Sequence, residues 1–323
     1  MDYQKAGVNI DKGNEAVALI KSSVASTHNN LVLNNLGSFA AFFKLPEGYQ
    51  EPVLVSCTDG VGTKLKLAID LEIFNTIGID LVAMSINDLI CSGAKPLFFL
   101  DYFACHELDP NQIKQIIDGM VHGCKESDCA LIGGEMAEMN DLYRPRDFDL
   151  AGFAVGVVER SKIIDGKKIH PDQNVYGFKS SGIHSNGFSL VRKIMTPEIS
   201  ARYRVPQEAL LEPTKIYAKN IQDLLDSNKE ITGIAHITGG GIQENLARIL
   251  PENIDVHIEK QRIPIMPIFT AIQEAGNVTE KEMFRVFNMG VGLIIITPQT
   301  LEETEEMVFL GKTLSGNKKV SLI

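Results

Sequence analysis

Several acidic side chains stand where apolar runs give way to glycine. Asp59 lies in Thr58-Asp59-Gly60-Val61-Gly62-Thr63-Lys64, directly after the apolar run 52–57. A carboxylate, two glycines, a hydroxyl and a lysine so placed can hold a metal-bound polyphosphate, with glycine letting backbone N–H groups approach the oxygens. An ordinary Asp-Gly turn has the same residues. Asp88 falls outside the apolar stripe of its helix, which suits either a cleft or a solvated surface. Asp101 interrupts the apolar run 97–105, where a carboxylate needs a cation, a metal or hydrogen bonds to offset burial. Glu135, in Gly133-Gly134-Glu135, follows a short apolar run at what reads as a strand-to-loop junction. If the fold brings Asp59, Asp88, Asp101 and Glu135 together, they form the hard oxygen set that Mg²⁺ takes.

A second group of turns suits anions. Ser180-Ser181-Gly182-Ile183-His184-Ser185-Asn186-Gly187 and His236-Ile237-Thr238-Gly239-Gly240-Gly241 each precede a helical pattern. They offer hydroxyl, amide and backbone donors at a helix start, each with an imidazole alongside. A capped turn with a structural histidine is the alternative. Neither these turns nor 58–64 match the GxxxxGK[ST] or GxGxxG fingerprints, which disfavours a P-loop or Rossmann nucleotide site.

The surrounding pattern alternates short apolar runs with helical periods, as expected of a mixed α/β chain. Strands are predicted at 52–57, 97–105, 130–132 and 150–158. An amphipathic helix is predicted over 82–93, from Val82, Ile86, Leu89 and Ile90. Another starts at Asp109-Pro110, an N-cap followed by proline, with the stripe Ile113, Ile116, Ile117, Met120, Val121 and Cys124. The polar stretch 160–174 marks a boundary between domains 1–164 and 165–323. Beyond it, strands are expected at 175–179, near Val256 and at 292–297, with helices after Gly187, Pro213 and Gly241. Glu302, Glu303, Glu305 and Glu306 read as the solvated face of a C-terminal helix.

A chain of 323 residues is large enough for two domains. A net charge of −10, with no stripe of Lys and Arg, argues against nucleic acid as a partner. Five cysteines without CxxC spacing fit a reducing compartment and predict a cytoplasmic protein, without a disulfide framework or zinc site. No apolar run has the length of a membrane span, so no membrane partner is expected.

The stretches AGVNIDKGN (6–14), VSCTDGVGTKLKLA (55–68), GAKPLFFLDYFA (93–104), GGEMAEM (133–139), SSGIHSNGFSLVRK (180–193) and HITGGGIQEN (236–245) resemble the phosphoribosylformylglycinamidine cyclo-ligase family. The D-x4-G-A-x-P signature of that family is present from Asp88 to Pro96, and the similarity runs on to the FNMGVG stretch at 287–292. The resemblance implies a two-domain fold. Its N-terminal sheet-plus-helices domain binds ATP and pairs across a homodimer, and its C-terminal α/β sandwich domain completes the substrate cleft. It also implies ATP-driven ring closure of a small phosphoribosyl substrate, formylglycinamidine ribonucleotide, to aminoimidazole ribonucleotide.

By the same resemblance Asp59, Gly60, Gly62, Thr63, Lys64, Asp88 and Glu135 belong to the Mg²⁺-ATP site, with Asp59, Asp88 and Glu135 as metal ligands. Lys21 is a further nucleotide contact, and Asp101 joins the nucleotide set. His184 and His236 are the catalytic candidates. Ser181, Gly182, Ser185, Asn186, Gly187, Thr238, Gly239, Gly240 and Gly241 are the substrate contacts. Where relatives carry a threonine-arginine-arginine stretch and a glycine-rich run, this chain has Thr27-His28-Asn29-Asn30 and Asn34-Asn35-Leu36-Gly37-Ser38. Region 194–212 and the tail after Leu310 are shorter than the resemblance leads one to expect. The alternatives are another ATP-using member of the superfamily, of the thiamine-monophosphate kinase or selenophosphate synthetase type, and a nucleotide-binding paralogue without catalysis.

Overall fold

The computed structural model describes residues 9–34 and 39–323. The chain forms two compact units, one of residues 1–89 and 95–161, the other of residues 90–94 and 162–323. The altered segment 34–38 lies largely outside the described residues.

The first unit contains α1 (Ile10–Ala25), β1 (Pro52–Gly60), α2 (Lys64–Leu71), α3 (Ile77–Ile90), β2 (Lys95–Cys105), α4 (Pro110–Glu126), β3 (Ala130–Glu138) and β4 (Phe148–Glu159). Its strands form one sheet in the order β1-β4-β2-β3, antiparallel except for the parallel β2–β3 pair. α4 starts as its sequence dictates: Asp109 Oδ1 accepts the Asn111 N–H at 2.9 Å, Pro110 opens the first turn, and the apolar stripe is buried. α3 crosses α4 at a glycine contact. A Cβ on Gly78 would stand 1.9 Å from the Ile116 carbonyl oxygen, so the two backbones approach where side chains would hold them apart.

The turn that follows α1 closes the β3 edge. Thr27 Oγ1 accepts the Leu131 N–H at 2.9 Å, and His28 Nε2 lies 2.8 Å from the Leu131 carbonyl oxygen. Both backbone groups of an edge residue are thereby satisfied. The opposite face of the sheet is more open, and Leu54 and Phe153 are 58% and 42% exposed on it.

The second unit contains β5 (Asn174–Lys179), α5 (Phe188–Ile194), α6 (Pro197–Tyr203), α7 (Ala218–Asp226), β6 (Gly233–His236), α8 (Gly241–Ala247), β7 (Ile254–Ile258), α9 (Pro267–Gly276), α10 (Glu280–Val286), β8 (Val291–Thr297), β9 (Met307–Ser315) and β10 (Val320–Leu322). Its sheet has the order β10-β7-β9-β5-β8-β6. Strands β5 and β8 are central and almost wholly buried, which accounts for their continuous apolar runs.

Four sequence expectations need correction. α3 begins at Ile77, not Val82, and is buried nearly all round, with Asp88 the exposed position among residues 81–90. β3 continues to Glu138, because pairing with β2 carries the chain through Gly133 and Gly134, so Glu135 is mid-strand. The helix expected after Pro213 starts at Ala218. Residues 302–306 are not helical. They are exposed and lead into β9, with Thr304 Oγ1 accepting the N–H groups of Glu306 and Met307.

Candidate active site

In the first unit, register places Asp59, Gly152, Asp101 and Gly134 in one cross-strand row over all four strands. Partners in register point to the same face of a sheet. For Asp59 and Asp101 that is the face covered by α3, since the neighbouring Cys57 donates its Sγ–H to the Ser85 carbonyl at 3.0 Å. Burial pushes the Cys57 thiol up to about 12, and the negative charges of Asp88 and Asp59 push it the same way. The helix thus brings Asp88 to the Asp59 end of the row.

Asp101 is 8% exposed. Burial raises its carboxyl to about 7, partly countered by a hydrogen bond from its own backbone N–H. A Cβ on Gly134 would lie 2.2 Å from Asp101 Oδ1, so this glycine leaves room for the carboxylate. Asp101 also lines a pocket of about 1100 Å³ with Ile20, Val24, Phe43, Leu100 and Glu135.

The turn leading into α2 is shaped by Gly62, with φ of +71°, and Asp59 Oδ1 accepts the Gly60 N–H at 2.8 Å. Thr63 occupies the α2 N-cap position without a side-chain cap. Lys64 turns inward: its Nζ lies 2.8 Å from Asp80 Oδ2 and 2.9 Å from Oδ1, both side chains fully buried. Lys21 is exposed on α1.

Glu135 does not join the other two expected metal ligands. It pairs with Tyr102, one residue on from the Asp101–Gly134 pair, and so projects from the opposite face on the far edge strand. Three strand spacings separate β1 from β3, about 14 Å. Among the described residues no three His, Cys, Asp or Glu side chains are grouped as a metal site.

The second unit draws the two glycine-rich turns together. Asn186 Oδ1 accepts the Gly239 N–H at 3.1 Å, a link across 53 residues. Asn186 Nδ2 is buried and makes no hydrogen bond. Within the first turn, the Ser181 and Lys215 N–H groups point at His184 Nε2 at 3.3 and 3.5 Å. That nitrogen is therefore an acceptor, and the proton of the neutral ring sits on Nδ1. Ser181 Oγ donates to the Pro213 carbonyl at 2.6 Å, and Ser185 Oγ lies 2.9 Å from Thr214 Oγ1. Beside His184, burial pushes the Tyr217 phenol upward, and its hydroxyl donates to the Lys179 carbonyl at 2.9 Å.

Gly182 and His184 are buried in this turn, and Gly187, with φ of +80°, leads into α5. In the second turn His236 is buried at the end of β6. Asn245 Nδ2 faces the carbonyls of Thr238, Gly239 and Gly241, the last at 2.8 Å. Gly240 and Gly241 have φ of +99° and +63°, and a Cβ on Gly241 would meet the Phe284 carbonyl oxygen at 1.8 Å.

Sequence reasoning missed Asp80, Thr214, Asn245 and Asn288. Asp80 had a signal: a lone carboxylate in the first turn of a helix that is apolar on either side of it. Asn288 had one too, as the polar residue two before a glycine at a strand entry.

Residues 37–158 match the N-terminal domain, and residues 170–308 the C-terminal domain, of the AIR synthase related proteins. The chain belongs to the AIR synthase related family. It is 51% identical over 312 residues to the phosphoribosylformylglycinamidine cyclo-ligase of Gloeothece citriformis, covering 94% of this chain and 91% of that one. The enzyme of that name from Acetivibrio thermocellus is 50% identical over 337 residues, covering 99% of both chains. This AIR synthase related chain also shares its fold with thiamine-monophosphate kinase from Stenotrophomonas maltophilia, at a TM-score of 0.66, 15% identity and coverage of 94% and 95%. Hydrogenase maturation protein HypE in complex with ATP gives 0.67, 16% identity and coverage of 94% and 89%.

Proposed function

We propose that this chain is a phosphoribosylformylglycinamidine cyclo-ligase of purine biosynthesis, using ATP to close the imidazole ring of formylglycinamidine ribonucleotide and releasing aminoimidazole ribonucleotide, ADP and phosphate. The observation that carries the reading is identity near one half to enzymes of that name, sustained over both domains. Thiamine-monophosphate kinase and HypE share only the fold at 15–16% identity, which gives the alternative activities no comparable support.

An amide oxygen is a poor leaving group. Transfer of the ATP γ-phosphoryl group to the formyl oxygen turns it into a phosphate ester of an imidate, and the amidine nitrogen then attacks the same carbon. The oxygen departs as inorganic phosphate. Catalysis of this kind rests on positioning and charge stabilisation, so no protein nucleophile is required.

In this reading residues 1–164 carry ATP, with Asp59 and Asp88 as carboxylate ligands of Mg²⁺. Two carboxylates suffice where substrate phosphates and water complete the shell, and their joint effect on Cys57 supports their closeness. Mg²⁺ supplies neutralisation of phosphate charge. Gly60, Gly62 and Thr63 shape the phosphate turn, Lys64 sets its base, and Lys21 and Asp101 contact the nucleotide. Residues 165–323 hold the phosphoribosyl substrate through Ser181, Gly182, Ser185, Asn186, Gly187 and Thr238–Gly241. The orphaned Asn186 amide nitrogen fits a substrate oxygen. His184 and His236 order the substrate side of the reaction.

The open face of the first unit's sheet, with Leu54 and Phe153 exposed, suits pairing with a second copy, and Glu135 projects from that face. Free cysteines among the described residues suit the cytoplasm, and no helix among them is long and apolar enough to cross a membrane. The test is turnover by the purified protein: formylglycinamidine ribonucleotide and ATP should be consumed in equal amounts as aminoimidazole ribonucleotide appears. ATP consumption without the ribonucleotide product would reject the assignment.

A further inference from the structure

Asn288 is 3% exposed and uses its whole hydrogen-bonding capacity on the first glycine-rich turn and its surroundings. Its Nδ2 donates to the carbonyls of Gly182 at 3.0 Å and Ile183 at 3.3 Å. Its Oδ1 accepts from Ser180 Oγ at 3.0 Å and from the Gly290 N–H at 2.8 Å. The Gly290 bond closes an Asx turn that enters β8, and the Gly290 carbonyl in turn accepts the Ser180 N–H at 3.0 Å. Gly290 has φ of +104°, and a Cβ there would stand 2.2 Å from the Pro264 carbonyl oxygen, so this turn has little room to shift.

The consequence lies in the peptide planes. A trans peptide directs its C=O and the following N–H in opposite senses. With the carbonyls of Gly182 and Ile183 drawn to Asn288, the N–H groups of Ile183 and His184 are directed away from it. His184 has φ of +63°, a left-handed conformation that a non-glycine residue keeps only where its surroundings impose it. One buried amide thus sets the direction of two successive N–H groups in the turn that carries Ser181, Gly182 and Ser185.

We infer that Asn288 is a positioning residue for the phosphoribosyl substrate: it holds the 180–184 turn in its binding shape without touching the substrate. The inference rests on the proposed cyclo-ligase reading for the identity of that substrate, but the shape of the turn can be measured without it.

The test uses the full chain carrying Asn288→Asp, nearly the same size, which sets a carboxylate oxygen against two carbonyls in place of an amide donor. Hydrogen exchange followed by mass spectrometry should show amides of 180–187 exchanging about tenfold faster, with β2 and β4 unchanged. KM for formylglycinamidine ribonucleotide should rise about tenfold or more, with KM for ATP within about twofold of wild type. A folded variant with wild-type exchange in 180–187 and wild-type KM values overturns the inference. If Asn288→Asp does not fold, Ser180→Ala removes one of the four bonds and should move both readouts the same way by a smaller factor; no movement there overturns it equally. Wild-type protein that lacks turnover would reject the activity assignment, while the exchange comparison would still decide whether Asn288 shapes the turn.

Discussion

Lys64 Nζ lies 2.8 Å from Asp80 Oδ2 with neither side chain exposed, so the lysine at the end of the Asp59 turn is a buried ion-pair partner. Asp80 belongs to the first turn of α3, and Lys64 opens α2. The pair ties together the two helices that follow the turn. Removing one partner of a buried pair strands the other charge and costs about 3–5 kcal/mol, whereas replacing both with apolar side chains is often close to neutral. Lys64→Met should therefore lower the urea midpoint sharply, and Lys64→Met with Asp80→Leu should recover most of the loss. Equal loss in the single and double variants would show that the pair is not what stabilises this corner.

Asp101 gives a pH signature. Burial holds its proton to about pH 7 in the native chain, while an unfolded aspartate loses it near 4. Between those values the native state binds more protons, so this residue's contribution to stability is full below about pH 4 and lost as pH rises to about 7. Asp101→Asn removes that slope. Relative to wild type it should be nearly neutral at pH 4 and stabilising at pH 8 by an amount on the order of 4 kcal/mol, read from urea unfolding of the ligand-free protein. A stability difference independent of pH would contradict the raised carboxyl.

Asp59→Asn and Asp88→Asn address the proposed metal ligands. Each should raise the Mg²⁺ concentration needed for half-maximal ATP use by about tenfold or more, with little change in unfolding midpoint. Glu135→Gln should leave that Mg²⁺ dependence unaltered, because Glu135 projects from the other face of the sheet. A wild-type Mg²⁺ titration in Asp59→Asn or Asp88→Asn removes that residue from the site.

Sheet pairing is tested at Leu54 and Phe153. The wild-type chain should sediment as a dimer at micromolar concentration, and Leu54→Glu with Phe153→Glu should sediment as a monomer, because a buried carboxylate in an apolar interface is costly. A dimer that survives both charges is joined elsewhere.

Local chemistry made some of this structure readable in the sequence. α4 is announced by Asp109, Pro110 and a stripe that all fall within its own turns. The Asn186–Gly239 link was hidden, since each turn looks complete by itself and the bond joins residues 53 positions apart. The role of Lys64 was hidden for the same reason: the turn 58–64 reads as a phosphate loop until Asp80, sixteen residues on, takes the ammonium. Glu135 and Asp59 resemble equivalent carboxylates after apolar runs, but their faces follow from strand order and register, which a single sequence does not encode locally. Thr27 and His28 stand where the family resemblance leads one to expect a basic stretch, and their closure of the β3 edge at Leu131 required the edge to be located first.

The central claim is that ATP activates the formyl oxygen before the ring closes, and the fate of that oxygen decides it. Formylglycinamidine ribonucleotide labelled with ¹⁸O in its formyl group should be turned over with unlabelled ATP, and the released inorganic phosphate examined by ³¹P NMR. One ¹⁸O per phosphate, appearing in step with aminoimidazole ribonucleotide, is the predicted result. Label recovered in water, with unlabelled phosphate formed at the same rate, would contradict phosphoryl transfer to the substrate and leave ATP hydrolysis driving some other step.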